Sequence, residues 1–146
     1  MADLPGIQDL LPHRGAMRFL DEALELAPDR AVCRGRVRED NPFLRGDATC
    51  ALTLDPVALV EFIAQAAAAL VSAQDLARGP VQGWLVGVRN LGLAGDPVPV
   101  GAVLDVEIRE VAKVGGFASF DGVVRRDGLV VAQGNVKVFK AGEDAP

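Results

Sequence analysis

Four polar side chains of this 146-residue chain have the chemistry to transfer protons or orient a substrate: His13, Asp47, Glu61 and Gln65. Carboxylates and imidazoles are common general acids and bases because their surroundings can bring their pKa values close to neutral pH. Glu61 and Gln65 lie four residues apart in the most apolar segment of the chain, a spacing that places both on one face of a helix. Burying a carboxylate is costly unless it faces a partner, water or a ligand, so Glu61 is the strongest candidate.

The segment PVALVEFIAQAAAALVSAQ, which begins at Pro56, is predicted to be the one long helix. Asp55 is a good N-cap residue, and proline is well tolerated in the first helical turn. The segment is apolar on nearly every side, which is typical of a core helix or a membrane span. Glu61 near its middle would cost about 2.5 to 3.5 kcal/mol at the bilayer centre. We therefore predict a core helix whose alanines let a sheet or a second subunit approach closely.

Alternation of apolar and polar residues predicts strands on both sides of this helix. Two strands are expected before it, in MRFLDEALEL and RAVCRGRVRE, and four after it, beginning at Gly83, Val103, Gly116 and Leu129. Asp127-Gly128 predicts a hairpin between the last two. This order predicts an α+β fold in which a curved, mainly antiparallel sheet wraps around one central helix, within a single domain spanning residues 1–146.

The composition of the chain argues against nucleic-acid binding and against a metal site. A formal net charge of −5 disfavours nucleic-acid binding, which needs clustered positive charge. Cys33, Cys50 and the single His13 have no zinc-ligand spacing, so we expect buried free thiols and neither a metal nor another cofactor. The first residues lack a basic start followed by an apolar run, which favours a cytoplasmic protein.

Arginines are locally dense in the second predicted strand. Arg34, Arg36 and Arg38 alternate and would share one face of that strand. They form either a solvated outer face or a docking site for an acidic partner.

Three motifs in register, LLPHRGAMRFLDEA, NPFLRGD and LVEFIAQAAAAL, resemble the hotdog-fold 3-hydroxyacyl-acyl-carrier-protein dehydratases of fatty acid synthesis. The stretches GWLVGVRNLGL and PVPVGAVLDVEI are more similar to a divergent branch of these dehydratases that is associated with aryl polyene lipid clusters. The resemblance covers most of the chain, and it implies a hotdog fold and dehydration of 3-hydroxyacyl thioesters to 2-enoyl thioesters.

The resemblance also implies roles for single residues. In the family, a histidine in a Gly-His-Phe-Pro-Gly turn is the base, and a carboxylate fourteen residues later is the acid. Here Asp47 follows Gly46 where that histidine would stand, and Glu61 is the acid in register. A carboxylate is a poor base for a thioester α-proton. His13 is the other candidate base, although the family uses the matching histidine structurally, so Glu61 is expected to matter more than His13.

Five further positions are expected to contact the substrate. Backbone N–H groups at the start of the helix can stabilise a developing negative charge on the thioester oxygen. The expected set is Val57 and Ala58 at the helix start, Phe43 and Gly46 in the preceding turn, and Gln65 on the helix.

The resemblance leaves several alternatives open. The chain is a dehydratase, a hotdog acyl thioesterase that uses Asp47 and Glu61, or a non-catalytic partner subunit of an active dehydratase. The carrier of the acyl thioester is acyl carrier protein or coenzyme A, and acyl carrier protein, itself acidic, would contact Arg34, Arg36, Arg38 and Arg45. Hotdog sheets pair edge to edge with the acyl tunnel at the interface, so a homodimer or a heterodimer with a related hotdog subunit is expected.

Overall fold

The computed structural model describes residues 3–46, 51–80 and 83–140. Within these ranges the chain forms two α-helices and nine strands. The helices are α1 (Ile7–Leu10) and α2 (Ala58–Ala73). The strands are β1 (Glu22–Ala27), β2 (Arg30–Arg36), β3 (Leu44–Arg45), β4 (Thr53–Leu54), β5 (Gly83–Leu93), β6 (Val98–Pro99), β7 (Val103–Val114), β8 (Phe117–Arg126) and β9 (Leu129–Lys140). Short 3-10 turns lie at Gly15–Met17 and Leu76–Arg78.

Six strands form one antiparallel sheet in the order β1-β2-β7-β8-β9-β5. The short strands β3, β4 and β6 form a separate antiparallel sheet, which the sequence pattern did not predict. The predicted α+β fold, with an antiparallel sheet around one long helix, is confirmed. The first predicted strand starts later than expected, at Glu22 instead of Met17, because Met17 belongs to a 3-10 turn.

Helix α2 is buried against the large sheet. Phe62, Ile63 and Leu70 are completely buried, in line with the nearly apolar surface of the helix. Contact with the sheet is close at Gly122 of β8, where an added Cβ would lie 2.4 Å from the Ile63 side chain. A residue larger than glycine at position 122 would therefore push the helix away from the sheet.

The helix begins two residues later than predicted. Pro56 and Val57 form a turn, and α2 starts at Ala58. The N-cap residue is therefore Val57, with no side-chain capping hydrogen bond, and not Asp55 as predicted. Asp55 stabilises the preceding turn instead: its Oδ1 accepts a hydrogen bond from the Val57 N–H at 3.0 Å, and its carbonyl accepts one from the Ala58 N–H at 2.9 Å. None of the helices in the described ranges is both long and apolar enough to cross a membrane.

Cys33 faces the core from β2 and is fully buried and free, as predicted. Burial raises the pKa of its thiol to about 12, so the thiol stays protonated and behaves as a small apolar side chain. Cys50 lies outside the described residues.

Candidate active site

A cavity of about 130 Å³ lies between α2 and the ends of β5 and β9. On the side of α2, the cavity is lined by Ala64, Ala68 and Val71, which recur at intervals of four and three residues along one face of the helix. The small alanine side chains leave the space that the cavity occupies. The other lining residues are His13, Glu61, Gly83, Trp84, Leu85, Val138, Phe139 and Lys140.

An imidazole and a carboxylate meet on the wall of this cavity. His13 Nε2 lies 3.5 Å from Glu61 Oε1, and the two side chains are 27% and 31% exposed. His13 Nδ1 is buried and has no hydrogen-bond partner in the part of the chain that the structure describes. Both groups therefore face the cavity, and the 3.5 Å between them is an ion-pair distance, longer than a normal hydrogen bond.

Gln65 fixes the position of the Glu61 carboxylate through a hydrogen bond. Its Nε2 donates to Glu61 Oε1 at 3.0 Å and to the Met17 carbonyl at 2.8 Å, and its Oε1 accepts from the Phe19 N–H at 2.8 Å. Gln65 is fully buried and is not among the residues that line the cavity. The geometry thus gives Gln65 a positioning contact with Glu61, whereas direct contact with a substrate was expected.

The segment that carries His13 is held by arginine side chains bonded to backbone carbonyls. Arg14 donates to the carbonyls of Leu11, His13 at 2.8 Å and Gln8 at 3.0 Å. Arg38 donates in the same way to Gly15, at 3.1 Å, and to Arg18. These contacts, with those of Gln65, fix the path that brings His13 to the cavity.

The other expected substrate contacts lie elsewhere. The Val57 and Ala58 N–H groups are both bonded to Asp55, so neither points free toward a thioester oxygen. Phe43 is 42% exposed and contacts Phe19 edge to face with ring centroids 5.8 Å apart. Gly46 follows β3 directly and has a φ of 119°, a conformation that favours glycine.

Asp47, the carboxylate expected at the position of the family's base, lies outside the described residues. Within the described ranges, no three His, Cys, Asp or Glu side chains are close enough to hold a metal ion together.

Most of the candidate carrier-docking arginines are engaged within the chain. Arg34 forms a two-pronged contact with Asp105, at 2.7 and 3.2 Å, and Arg45 lies 3.3 Å from Asp55. Arg38 is committed to the backbone contacts described above. Arg36 is exposed on the outer face of β2.

Sequence reasoning did not find the sheet residues of the cavity: Trp84, Leu85, Val138, Phe139 and Lys140. They belong to two strands that are distant in sequence and meet through the register of β5 with β9, in which Trp84 pairs with Phe139 and Leu85 with Val138. The only local signal was that Trp84 is the single tryptophan of the chain.

An antiparallel sheet packed around one long buried helix is the hotdog fold. The chain belongs to the ApeP-like dehydratase family, whose model, described as ApeP dehydratase, matches residues 5–145. A 3-hydroxyacyl-[acyl-carrier-protein] dehydratase FabZ of Anaeromyxobacter sp. (strain K) is 32% identical over 137 residues, which cover 90% of this chain and 85% of that protein.

Solved structures show the same fold. The dehydratase heterocomplex ApeI:P from Xenorhabdus doucetiae superimposes with a TM-score of 0.85 at 23% identity, covering 96% of this chain and 93% of that one. A hypothetical thioesterase protein with coenzyme A from Streptococcus pneumoniae TIGR4 gives a TM-score of 0.63 at 12% identity, over 85% of this chain and 88% of that one.

Proposed function

We propose that this protein is a 3-hydroxyacyl-acyl-carrier-protein dehydratase, which removes water from a 3-hydroxyacyl thioester to give a 2-enoyl thioester. Membership of the dehydratase family supports the reaction class. The observation that carries the proposal is the His13–Glu61 pair, whose reactive atoms lie 3.5 Å apart on the wall of an otherwise mostly apolar cavity.

In this mechanism His13 is the base and Glu61 is the acid. His13 Nε2 takes the C2 proton, the C–H electrons form the C2=C3 double bond, and the C3–O bond breaks as Glu61 protonates the departing oxygen to form water. A neutral imidazole accepts a carbon-bound proton more readily than a carboxylate does, because a carboxylic acid is the stronger conjugate acid. The product state is an imidazolium beside a carboxylate, and both side chains are partly exposed, so loss of the His13 proton to solvent and protonation of Glu61 from solvent restore the starting state.

A second hotdog subunit would complete the site along β5. This strand is one edge of the large sheet, and it exposes large apolar side chains, including Trp84 at 54% and Val86 at 50%. An exposed apolar edge strand is a ready template for pairing with another chain. Because Trp84 and Leu85 also line the cavity, such a subunit would cover its open side. The likeness to one chain of a dehydratase heterocomplex supports a related subunit as the partner.

The test is turnover of a 3-hydroxyacyl thioester by Glu61→Gln and His13→Gln, each assayed alone and with a related hotdog subunit. Both variants should lose about 10²- to 10⁴-fold in kcat, the usual cost of removing a general acid or base. Their melting temperatures should stay close to that of the unaltered protein, because glutamine preserves most of the shape of either side chain. Glu39→Gln, at an exposed glutamate outside the cavity, is the matched control.

Two results would change the assignment. Full activity of His13→Gln with an inactive Glu61→Gln would place the base on Asp47 or on the partner subunit. Hydrolysis of saturated acyl thioesters, with no dehydration of the 3-hydroxyacyl ones, would replace the dehydratase by a thioesterase.

A further inference from the structure

Arg89 is the single charged residue of β5, the long apolar edge strand of the large sheet. It is exposed, and it lies one residue after Val88, the middle of the strand. In the described ranges, no ion pair joins Arg89 to an acid. A strand that covered this edge with apolar residues alone would leave the Arg89 charge without a partner, which is unfavourable.

Arg89 is also the last member of a polar row that crosses the outer face of the sheet. Arg109 of β7 pairs with Asp121 of β8, Asp121 pairs with Asn135 of β9, and Asn135 pairs with Arg89. Gly122, next to Asp121 in β8, faces α2, so the row lies on the opposite face. Asp121 stands opposite Arg109, whereas Arg89 has the neutral Asn135 on one side and the open edge on the other. A carboxylate that neutralised Arg89 would therefore lie on the strand that covers β5.

A second copy of this chain would bring the wrong charge to this position. If two β5 strands paired antiparallel with full overlap, the twofold axis would pass at Val88, and each Arg89 would stand opposite Gly87 of the other copy. The two Arg89 residues would then be diagonal neighbours about 7–8 Å apart. This separation is within the Debye length of about 8–10 Å at ordinary salt, so the two guanidinium groups would repel each other.

Resting on the proposed function, we infer that Arg89 selects the subunit that pairs with β5. The selected partner is a related hotdog subunit whose edge strand carries a carboxylate opposite Arg89, and a second copy of this chain is disfavoured. An arginine and a carboxylate can form a two-pronged, charge-assisted contact, which fixes the register of the two strands as well as the choice of partner. Trp84 and Leu85 of the same strand line the cavity, so Arg89 thereby determines which chain covers the open side of the cavity.

Arg89→Glu reproduces the partner's expected charge in this chain, at an exposed side chain outside the cavity lining. In an equimolar mixture of the unaltered protein and an isotopically labelled Arg89→Glu variant, mixed dimers pair opposite charges and same-sequence dimers pair like charges. Native mass spectrometry should find the ratio of mixed to same-sequence dimers at least about threefold above random pairing at low salt. The preference should disappear at about 1 M salt, where the Debye length is about 3 Å.

Two further variants separate the position of the charge from its presence. Arg36→Glu is the matched control, because it reverses the charge of an exposed arginine in β2, four strand spacings or about 19 Å from β5. Its mixture with the unaltered protein should pair at random. Arg89→Gln removes the repulsion between two copies, so its self-association should have a Kd at least about twofold lower than that of the unaltered protein in sedimentation experiments.

Trp84 reports whether the subunits meet at β5, because it is the single tryptophan of the chain and is 54% exposed on this strand. Pairing along β5 should cover the indole and shift its emission to shorter wavelength. In the mixture with Arg89→Glu, this shift should occur at a lower protein concentration than in the unaltered protein alone. The mixture with Arg36→Glu should behave like the unaltered protein.

The outcomes distinguish this inference from the proposed function. Random pairing, or no dimer at any concentration, in the mixture with Arg89→Glu would overturn the role of Arg89, and turnover of a 3-hydroxyacyl thioester would still support the dehydratase. Preferential mixed pairing without turnover of that thioester would do the reverse. Dimers that form without a shift in Trp84 emission would place the interface away from β5. Weaker self-association of Arg89→Gln would make a second copy the favoured partner, and either result would overturn the inference.

Discussion

At the scale of single residues, Gln65 links the candidate catalytic carboxylate of Glu61 to the backbone of the N-terminal segment. Its amide is the contact that joins Glu61 to the backbone of Met17 and Phe19, so it fixes both the carboxylate and the segment leading from His13. A glutamine can do this without adding a charge to the core, and each of its three hydrogen bonds satisfies a group that would otherwise be costly to bury.

Replacing Gln65 with methionine should lower the free energy of unfolding by about 3 kcal/mol, because methionine preserves the volume and leaves the Phe19 N–H and Met17 carbonyl without a partner. Urea denaturation measures this loss. The matched control is Gln74→Met, at an exposed glutamine just after the same helix, which should cost less than about 1 kcal/mol. Equal costs at the two positions would show that the buried contacts of Gln65 contribute little.

At the scale of secondary-structure elements, charged side chains connect the strands of the outer face. Glu107 of β7 lies between two arginines, 2.7 Å from Arg30 of β2 and 3.2 Å from Arg125 of β8, and Arg30 also contacts Glu25 of β1 at 2.6 Å. Hydrogen bonds from Arg30 and then Arg125 hold the pKa of Glu107 below its ordinary value of 4.5. This network of charges spans four neighbouring strands.

The lowered pKa of Glu107 predicts a pH dependence of stability. A carboxylate whose pKa is depressed by folding stabilises the protein above its unfolded pKa, and this contribution is lost as the pH falls through the folded pKa. At pH 7, Glu107→Gln should therefore lower the free energy of unfolding by about 1 kcal/mol, a modest value because the site is partly solvated. The difference in free energy of unfolding between Glu107→Gln and the unaltered protein should shrink as the pH falls below 4.5.

Denaturation curves of both proteins between pH 7 and about pH 2 measure this dependence. Glu39→Gln, at an exposed glutamate with no ion pair in the described ranges, should show no such trend. A stability difference for Glu107→Gln that stays constant to the lowest pH would contradict the assigned role of its charge.

At the scale of the whole molecule, the two edges of the large sheet differ. The β1 edge strand has six residues, two of them glutamates, whereas β5 has eleven residues and exposes Trp84, Leu85, Val86, Val88, Leu91 and Leu93. Short and charged edges resist pairing, and long apolar ones favour it. Association through β5 would extend the sheet across two subunits and place the cavity beside their junction.

Val88→Lys, which places a charge in the middle of β5, should weaken subunit association at least about tenfold and leave the monomer folded. Size-exclusion chromatography with light scattering, on the protein alone and mixed with a related hotdog subunit, measures the change. Val130→Lys is the control, since Val130 is 43% exposed, close to the 39% of Val88, and lies in β9 outside the edge strand. If both variants associate like the unaltered protein, the interface lies on another surface.

Local patterns in the sequence determined the elements of this protein. Helix α2 and the long strands were predictable because helical and strand periodicities depend on residues that are near each other in the chain. The shared face of Glu61 and Gln65 was predictable for the same reason. The strands β3, β4 and β6 were not, because two residues are too few to show a period.

Tertiary structure alone decided how these elements combine into a site. His13 reaches Glu61 because Gln65 of α2 and Arg38 bind the backbone of the segment that follows His13, through contacts between residues distant in sequence. Trp84 and Phe139 meet because of the register of β5 with β9. Strand alternation indicates which residues share a face, but the side chains that stand opposite each other depend on register, and register is set by packing across the whole sheet.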